Sequence, residues 1–243
     1  MQFQFELEDD AIHLWAIPIE SPRSIVAQFY TLLSSEERTR AARFQFEYLE
    51  QSFILARGVL RVLLGRYLSV QPRSIQFLYG PKGKPALAEA GWLRFNMSHS
   101  GRFALLGFAK DCEIGVDIER IRPLSDFHEI ANQFFSPEEA SELISLPVDQ
   151  HERAFYLCWT RKEAYIKAIG DGLAVPLSSF RVTLDPSKPA RFVHLNQDRT
   201  VAASWTLTDV KLFDPYVAAI AYRKMECPFR LTCLTELTGL IDF

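Results

Sequence analysis

The sequence is poor in the features that mark zinc-binding and disulfide-bonded proteins. Its 243 residues contain only four cysteines, none of them in a Cys-x-x-Cys pair. The five histidines form no metal-binding spacing such as His-Glu-x-x-His. We therefore expect neither a zinc site nor a disulfide scaffold, and free thiols in a reducing cytosol explain the cysteines best.

Long apolar runs and an excess of basic charge are also missing. No apolar stretch approaches the roughly 20 residues that a bilayer-spanning helix needs. The acidic N-terminal segment, residues 6–10, lacks the basic start of a signal peptide. A net charge of −3 argues against a generic nucleic-acid binder. We therefore expect a cytoplasmic protein with neither a membrane nor a nucleic-acid partner.

Hydrophobic and aromatic residues are abundant, and two helix starts carry the same capping signal. Hydrophobic residues make up 48% of the chain, which is typical of a well-packed globular protein. Residues 34–37 and 136–139 both place a serine at the N-cap and a glutamate three positions later. The two serines, Ser34 and Ser136, lie 102 residues apart. This repetition indicates two copies of one structural unit.

The match continues beyond the capping signals. At the same offset, residues 53–61 align with residues 155–163, and each segment leads into extended, apolar stretches. We predict an α+β fold of two similar lobes, residues 1–114 and residues 115–243, related by a pseudo-two-fold axis. Each lobe is predicted to hold a long helix packed on a small, mainly antiparallel sheet.

Two carboxylates lie two residues apart in the apolar segment Gly115-Val116-Asp117-Ile118-Glu119. Successive side chains of a strand point to opposite faces, so Val116 and Ile118 are predicted to face a core. Asp117 and Glu119 then lie side by side on the other face. An isolated pair of this kind most often marks a solvated strand face.

A helix provides the third carboxylate. Trp159, Glu163 and Lys167 recur at every fourth position of a predicted helix and share one face. Alone, Glu163 and Lys167 would be an ordinary surface pair. If the helix packs beside the strand, Glu163 converges with Asp117 and Glu119. Converging carboxylates suit Mg²⁺, which takes its other ligands from water and a substrate phosphate.

Two further segments carry groups that suit a phosphate. Lys82-Gly83-Lys84-Pro85 combines lysine charges with a glycine that lets the backbone approach a ligand closely. Asn96-Met97-Ser98-His99-Ser100 is predicted to interrupt two strands. It is either an ordinary hairpin turn held by its Ser and Asn side chains or a second phosphate cradle.

In their order, these segments resemble the motifs of 4′-phosphopantetheinyl transferases of the larger, two-domain surfactin-synthetase type. That family shows a Gly-Lys-Pro loop, an Asn-x-Ser-His-Ser segment, a Gly-Val/Ile-Asp-Ile-Glu strand and a Trp-Ser/Thr-x-Lys-Glu helix ending in lysine. They match residues 82–85, 96–100, 115–119 and 159–167. The resemblance implies transfer of the phosphopantetheinyl arm of coenzyme A to a serine of an apo acyl or peptidyl carrier protein, releasing adenosine 3′,5′-bisphosphate.

The resemblance also implies roles for individual residues. Mg²⁺ would be held by Asp117, Glu119 and Glu163, and Glu163, Lys167 and Asp117 would be catalytic. The residues implied to contact coenzyme A are Arg40, Lys82, Gly83, Lys84, Pro85, Asn96, Ser98, His99 and Lys162. Arg40 and His99 would lie near its 3′-phosphate. Glu37 departs from the family pattern, because some relatives have a lysine there.

Two other functions use the same residues. A Mg²⁺-dependent nucleotide phosphohydrolase would need the same three carboxylates, but it gives no reason for residues 96–100 and 159–167 to occur together. A non-catalytic protein that binds coenzyme A or a carrier is the other alternative, although every implied metal ligand and the helical lysine are present. The carrier would serve fatty-acid, polyketide or nonribosomal peptide synthesis. We expect a monomer, because the second lobe supplies a cleft wall that another subunit would otherwise provide.

Overall fold

The computed structural model describes residues 5–170, 175–195, 204–223 and 227–241. Within these ranges the helices are α1 (Arg23–Tyr30), α2 (Ser35–Ala41), α3 (Glu47–Leu68), α4 (Phe127–Phe134), α5 (Pro137–Ser145), α6 (His151–Ile169) and α7 (Thr238–Ile241). The strands are β1 (Ile12–Pro18), β2 (Phe77–Tyr79), β3 (Pro85–Leu87), β4 (Leu93–Ser100), β5 (Phe103–Lys110), β6 (Ile114–Arg120), β7 (Phe180–Val182), β8 (Phe192–Leu195), β9 (Thr206–Asp209), β10 (Tyr216–Tyr222) and β11 (Phe229–Cys233). None of the described helices is long and apolar enough to cross a membrane.

The strands form two main sheets. The first sheet has the order β11-β1-β5-β4, and the second has the order β6-β10-β9. All neighbouring strands are antiparallel except β11, which runs parallel to β1. The hairpins β2-β3 and β7-β8 are separate two-stranded ribbons. The predicted α+β class, with small and mainly antiparallel sheets, is confirmed.

Three hydrophobic cores stack these elements into four layers. The helix α3 packs on the first sheet, where the ring centroids of Tyr67 and Phe108 lie 4.9 Å apart. The helix α6 packs on the second sheet. Between the two sheets lies a third core that contains Val116 and Ile118, both fully buried. The predicted alternation along β6 is therefore present, and the core that it faces is the contact between the sheets.

Two parts of the chain differ from the sequence prediction. Residues 96–100 do not interrupt two strands but complete β4, and the turn follows at Gly101, whose φ of 55° lies in the left-handed region. The second difference concerns the lobe assigned to residues 115–243. Strand β11 pairs with β1 of the first sheet, and Leu237 and Leu240 join the core under α3. This last segment therefore belongs with the first lobe, because its apolar side chains find their partners there.

We use the word lobe for one main sheet together with the long helix that packs on it. Each of the two buries a capping glutamate against a basic side chain of that helix. In the first lobe, Glu37 caps α2 together with Ser34. Its carboxylate accepts hydrogen bonds from Arg57 Nε at 2.6 Å and from Arg61 Nε at 2.7 Å. Arg61 also donates to two backbone carbonyls, of Pro72 and Ile75. The buried cation thus has three hydrogen-bond acceptors inside the protein.

The second lobe repeats this arrangement with different residues. Glu139 caps α5 together with Ser136, and Lys162 Nζ lies 2.8 Å from Glu139 Oε2. Lys162 also donates to the backbone carbonyls of Leu177 and Phe180. Its side chain is 0% exposed.

These contacts correct the predicted helix alignment. Judged by its partners, the counterpart of Arg61 is Lys162, whereas the offset of 102 pairs Arg61 with Glu163. Arg57 and Trp159 likewise differ, because Arg57 binds Glu37 whereas Trp159 stacks on Phe155. These contacts therefore do not keep the predicted offset of 102, because Arg61 and Lys162 lie 101 residues apart and a shift of one residue turns a helical side chain by about 100°.

We predict that Glu37→Ala and Glu139→Ala each lower the free energy of unfolding by about 3–5 kcal/mol, because each change leaves a buried cation without its partner. Urea denaturation measures the loss. The matched controls are Glu36→Ala and Glu138→Ala, whose side chains are exposed. A control variant that loses as much stability as its buried neighbour would contradict this account.

Glu37 also gives this prediction a pH dependence. Burial alone would raise the pKa of Glu37, but hydrogen bonds from Arg61, the Ser34 backbone and Arg57 outweigh it and hold the pKa below its ordinary value of 4.5. The stability that Glu37 contributes is thus present above about pH 4.5 and is lost as the pH falls through the lowered pKa. The wild type and Glu37→Ala should converge in stability at acidic pH.

Candidate active site

The border between the two sheets, which we call the seam, lies where β4 runs beside β6. Side chains of β4 rather than its backbone make the hydrogen bonds across it. Asn96 Oδ1 accepts the backbone N–H of Val116 at 2.9 Å, and Ser100 Oγ accepts the backbone N–H of Arg120 at 3.1 Å. The polar side chains that alternate along β4 therefore join the two lobes.

The same strand holds the two acidic residues of β6. Ser98 Oγ donates to Asp117 Oδ1 at 2.7 Å, and Ser100 Oγ donates to Glu119 Oε2 at 2.6 Å. Both side-chain pairs follow the two-residue period of a strand. Asp117 is almost fully buried, whereas Glu119 is half-buried. The predicted placement of both carboxylates on one face of β6 is found in the structure.

Helix α6 lies unusually close to β6 because of one glycine. A Cβ atom added to Gly115 would lie 2.1 Å from the carbonyl oxygen of Ala164 and 2.3 Å from the backbone nitrogen of Ala168. Any larger residue would therefore collide with the helix backbone. Glu163 and Lys167 immediately precede these two alanines, so the close packing brings their side chains toward Asp117.

Lys167 makes the direct contact between the helix and the strand. Its Nζ donates to Asp117 Oδ1 at 2.6 Å and to Ser98 Oγ at 2.7 Å. Burial raises the pKa of Asp117, and Lys167 opposes this rise. Burial also raises the pKa of Glu163, and the charge of Asp117 raises it further. The site therefore concentrates negative charge that one ammonium group only partly balances.

One oxygen atom, Oδ2 of Asp117, is the main observation that favours a Mg²⁺ ion at these residues. In the part of the chain that the structure describes, no group of three or more His, Cys, Asp or Glu side chains has a metal-binding arrangement. Asp117 Oδ2 is nevertheless buried and has no hydrogen-bond partner among the described residues. Burial also raises the pKa of Glu119, as does the charge of Asp117. Carboxylate oxygens are the ligands that Mg²⁺ prefers, so this set fits a hard cation.

A groove of about 240 Å³ runs along the site. The residues predicted to act here and found in its lining are Lys82, Gly83, Lys84, Pro85, Asn96, Glu163 and Lys167. Ser98 and Asp117 contact Lys167 directly. His99 follows on β4, where desolvation and then the charge of Lys167 lower its pKa. Residues from three of the four sequence motifs thus line the groove, and Asp117 of the fourth motif contacts it through Lys167.

Lys84 joins the groove to the end of α6. Its Nζ donates to the carbonyl oxygen of Ala168 at 2.6 Å and lies 3.5 Å from Glu113 Oε2. A cation at a helix C-terminus is favourable because the last carbonyls carry partial negative charge. Burial lowers the pKa of Lys84, and Glu113 opposes this change. Lys84 therefore contacts the other lobe as well as lining the groove.

Two predicted coenzyme A contacts are not brought to the groove. Lys162 is enclosed with Glu139 in the second lobe, so the expectation that it meets the pyrophosphate is corrected. Arg40 is exposed on α2, where its guanidinium lies 5.3 Å from the ring centroid of Phe53. The described contacts do not join it to His99 or to any other predicted site residue.

Sequence reasoning missed the separate part that Ser100 plays. Its signal was present, because Asn96, Ser98 and Ser100 alternate with the same period as Asp117 and Glu119. Reading the segment as a turn hid this match between two strands.

Comparisons with known proteins identify the family of this chain. The model of the 4′-phosphopantetheinyl transferase superfamily matches residues 113–221, and the model of the 4′-phosphopantetheinyl transferase N-terminal region matches residues 20–110. The 4′-phosphopantetheinyl transferase HetI of Nostoc sp. (strain PCC 7120) is 41% identical over 88% of this chain and 89% of its own length. The 4′-phosphopantetheinyl transferase Sfp of Bacillus subtilis (strain 168) is 35% identical over 65% of this chain and 69% of its own length.

These matches define the class of protein. The chain belongs to the 4′-phosphopantetheinyl transferase superfamily, and within it to the surfactin-synthetase type that its four motifs predict. A solved structure, the holo-[acyl-carrier-protein] synthase of Thermotoga maritima, covers 47% of this chain and 64% of its own at 16% identity. Its TM-score of 0.36 is too low to argue from.

We predict that Gly115→Ala destabilises the protein by at least about 1–3 kcal/mol, the usual cost of overpacking, because the neighbouring atoms are backbone and cannot rotate away. The shift of α6 should also impair activity. Gly91→Ala is the matched control, since nothing lies within 4 Å of the added atom. Urea denaturation and an activity assay on both variants test the prediction. Equal stability of the two variants would show that α6 does not depend on Gly115.

Proposed function

We propose that this enzyme transfers the 4′-phosphopantetheinyl arm of coenzyme A to a serine hydroxyl of an apo acyl or peptidyl carrier protein. The other product is adenosine 3′,5′-bisphosphate. Family membership supports the reaction class. The observation that carries the proposal is the convergence of Asp117, Glu163, Lys167 and Ser98 at the seam, beside the groove that the Lys82 to Pro85 loop lines.

The reaction requires charge stabilisation and one proton transfer. The serine oxygen of the carrier attacks the phosphorus that bears the pantetheine arm, and the bond from this phosphorus to the bridging oxygen breaks. Negative charge then develops on the leaving bisphosphate. Lys167 places an ammonium group at this point of the groove. Glu163 lies one helical turn away and, with its raised pKa, suits acceptance of the serine proton, directly or through a water molecule.

The carboxylates suit a metal cofactor as well as a base. Mg²⁺ held by Asp117, Glu119 and Glu163 would neutralise charge on the pyrophosphate oxygens. Ser98 keeps Asp117 in place through a short hydrogen bond.

The contacts proposed for coenzyme A extend from the groove. Lys82 and Lys84 supply positive charge beside the pyrophosphate, and Gly83 lets the backbone approach it. His99 follows Ser98 on β4, and desolvation and the charge of Lys167 lower its pKa. We assign His99 and Arg40 to the 3′-phosphate, with Arg40 reaching from the exposed face of α2.

The arrangement of the lobes supports action as a single chain. We propose that the two lobes are related by a pseudo-two-fold axis, for which the matching burial of Glu37 and Glu139 is the support. Both walls of the groove come from one chain, so a monomer suffices for the site.

The two alternative functions have less support. A nucleotide phosphohydrolase would release phosphate in the absence of any carrier protein. A non-catalytic protein that binds coenzyme A would not need the charged contact between Lys167 and Asp117 at the groove. The related proteins are named as transferases, which favours neither alternative.

We predict that an apo carrier protein incubated with this enzyme, coenzyme A and Mg²⁺ gains the mass of the phosphopantetheine arm. Glu163→Gln should slow this transfer at least ~100-fold, in line with the loss of a strong electrostatic stabiliser. Glu138→Gln, an exposed change in the same lobe, should leave it unaltered. Mass spectrometry of the carrier gives the rate. Phosphate release without modified carrier would instead indicate a phosphohydrolase.

The 3′-phosphate assignment gives a second prediction for this site. Coenzyme A should bind more tightly than 3′-dephospho-coenzyme A by about 1.5–3 kcal/mol, the usual value of a hydrogen bond to a charged group. The difference should largely vanish in a His99→Ala, Arg40→Ala double variant, as measured by titration calorimetry. Each single variant identifies which residue makes the contact. An unchanged preference in the double variant would place the 3′-phosphate elsewhere.

A further inference from the structure

Ser100 and Glu119 form a pair that the roles assigned so far do not use. Ser100 lies at the end of β4, opposite Glu119 across the seam. The neighbouring pair, Ser98 and Asp117, has the same geometry, but there Lys167 also binds both partners. Among the described ion pairs, Lys167 binds Asp117 and none involves Glu119. The carboxylate of Glu119 instead accepts a hydrogen bond from the hydroxyl of Ser100.

The hydrogen bonds of Ser100 fix the direction of its hydroxyl proton. Its Oγ accepts the backbone N–H of Arg120 at 3.1 Å, which holds the oxygen against β6. The single proton of this hydroxyl is then committed to Glu119 Oε2 at 2.6 Å. This contact engages only one of the two carboxylate oxygens. A neutral donor orients the group without neutralising its negative charge.

Groups that orient a metal-binding carboxylate without touching the metal strongly influence affinity. Replacing such a partner typically costs about 10–100-fold in metal affinity or activity. Ser100 meets this description from the other lobe, because β4 belongs to the first sheet and β6 to the second. A change in the position of β4 would therefore alter the orientation of the Glu119 carboxylate.

We propose that Ser100 is a positioning residue, which holds Glu119 in the orientation required for a divalent cation and thereby makes cation binding depend on the contact between the lobes. The inference rests on the proposed function, which assigns Glu119 to the cation. It extends that function by naming the side chain that places this ligand.

The test compares two substitutions of almost the same shape. Ser100→Thr keeps the hydroxyl, whereas Ser100→Val replaces it with a methyl group. Both β-branched residues suit a strand. The probe is Mn²⁺, whose binding is followed by electron paramagnetic resonance with and without saturating coenzyme A. We expect Ser100→Thr to stay within about threefold of the wild type, and Ser100→Val to bind Mn²⁺ about tenfold or more weakly.

A second pair of variants separates positioning from loss of stability. Ser187 Oγ donates to Asp185 Oδ1 at 2.7 Å in an exposed loop, so Ser187→Ala removes the same kind of contact far from the groove. It should leave Mn²⁺ binding unchanged. Ser100→Ala serves if the valine variant does not fold, with the same expected loss of affinity. Circular dichroism confirms that each variant is folded.

The outcomes distinguish this proposal from the proposed function. Equal Mn²⁺ affinity of Ser100→Thr and folded Ser100→Val or Ser100→Ala would overturn the role of Ser100, even if carrier modification were normal. A wild type that binds no Mn²⁺ under either condition would overturn it as well. Weaker binding in the valine variant together with a wild type that modifies no carrier would uphold Ser100 and refute the transfer reaction alone.

Discussion

The distance between α6 and β6 is the constraint on which the site depends, and Gly115 sets it. Because the strand presents no side chain at this position, the helix backbone rests on the strand backbone. Ala164 and Ala168 allow the helix to lie close to the strand. Lys167, the residue before Ala168, then reaches Asp117 on the acidic face of β6. A larger residue would lift Glu163 and Lys167 together. The geometry of the candidate site is thus a result of packing small residues, and the ionic contacts follow from it.

The burial of charge divides into two kinds in this molecule. Glu37 and Glu139 are buried with cations that balance their charge within the protein. The acids of the seam are only partly balanced, and their raised pKa values record the cost. Such imbalance is typical of functional sites, because a bound ligand or cation can relieve it. Buried carboxylates in this protein therefore differ in one respect: some have a full cationic partner within the chain, and those of the seam do not.

Features set by local sequence were predictable, and features set by distant contacts were not. The capping boxes at Ser34 and Ser136 and the alternation around Val116 depend on neighbouring residues, and the structure contains them. The burial of Lys162 depends on Glu139, and the position of β11 depends on β1, far away in the chain. The site was predictable where residues share one element, as Glu163 and Lys167 do. Periodicity gave no sign that Lys162, rather than Glu163, would have partners similar to those of Arg61.

Strand β11 returns to the first sheet, and this pairing affects whether fragments of the protein stay associated after the chain is cut. Its five residues pair with β1, while the chain between them builds the whole second lobe. A single cut in the connection between β5 and β6 would leave two fragments that still share a sheet and a core. Such fragments should remain associated and could assemble from separate chains, because the pairing of β1 with β11 does not require an intact link. The two lobes are therefore joined twice, by the connection between β5 and β6 and by the pairing of β11 with β1.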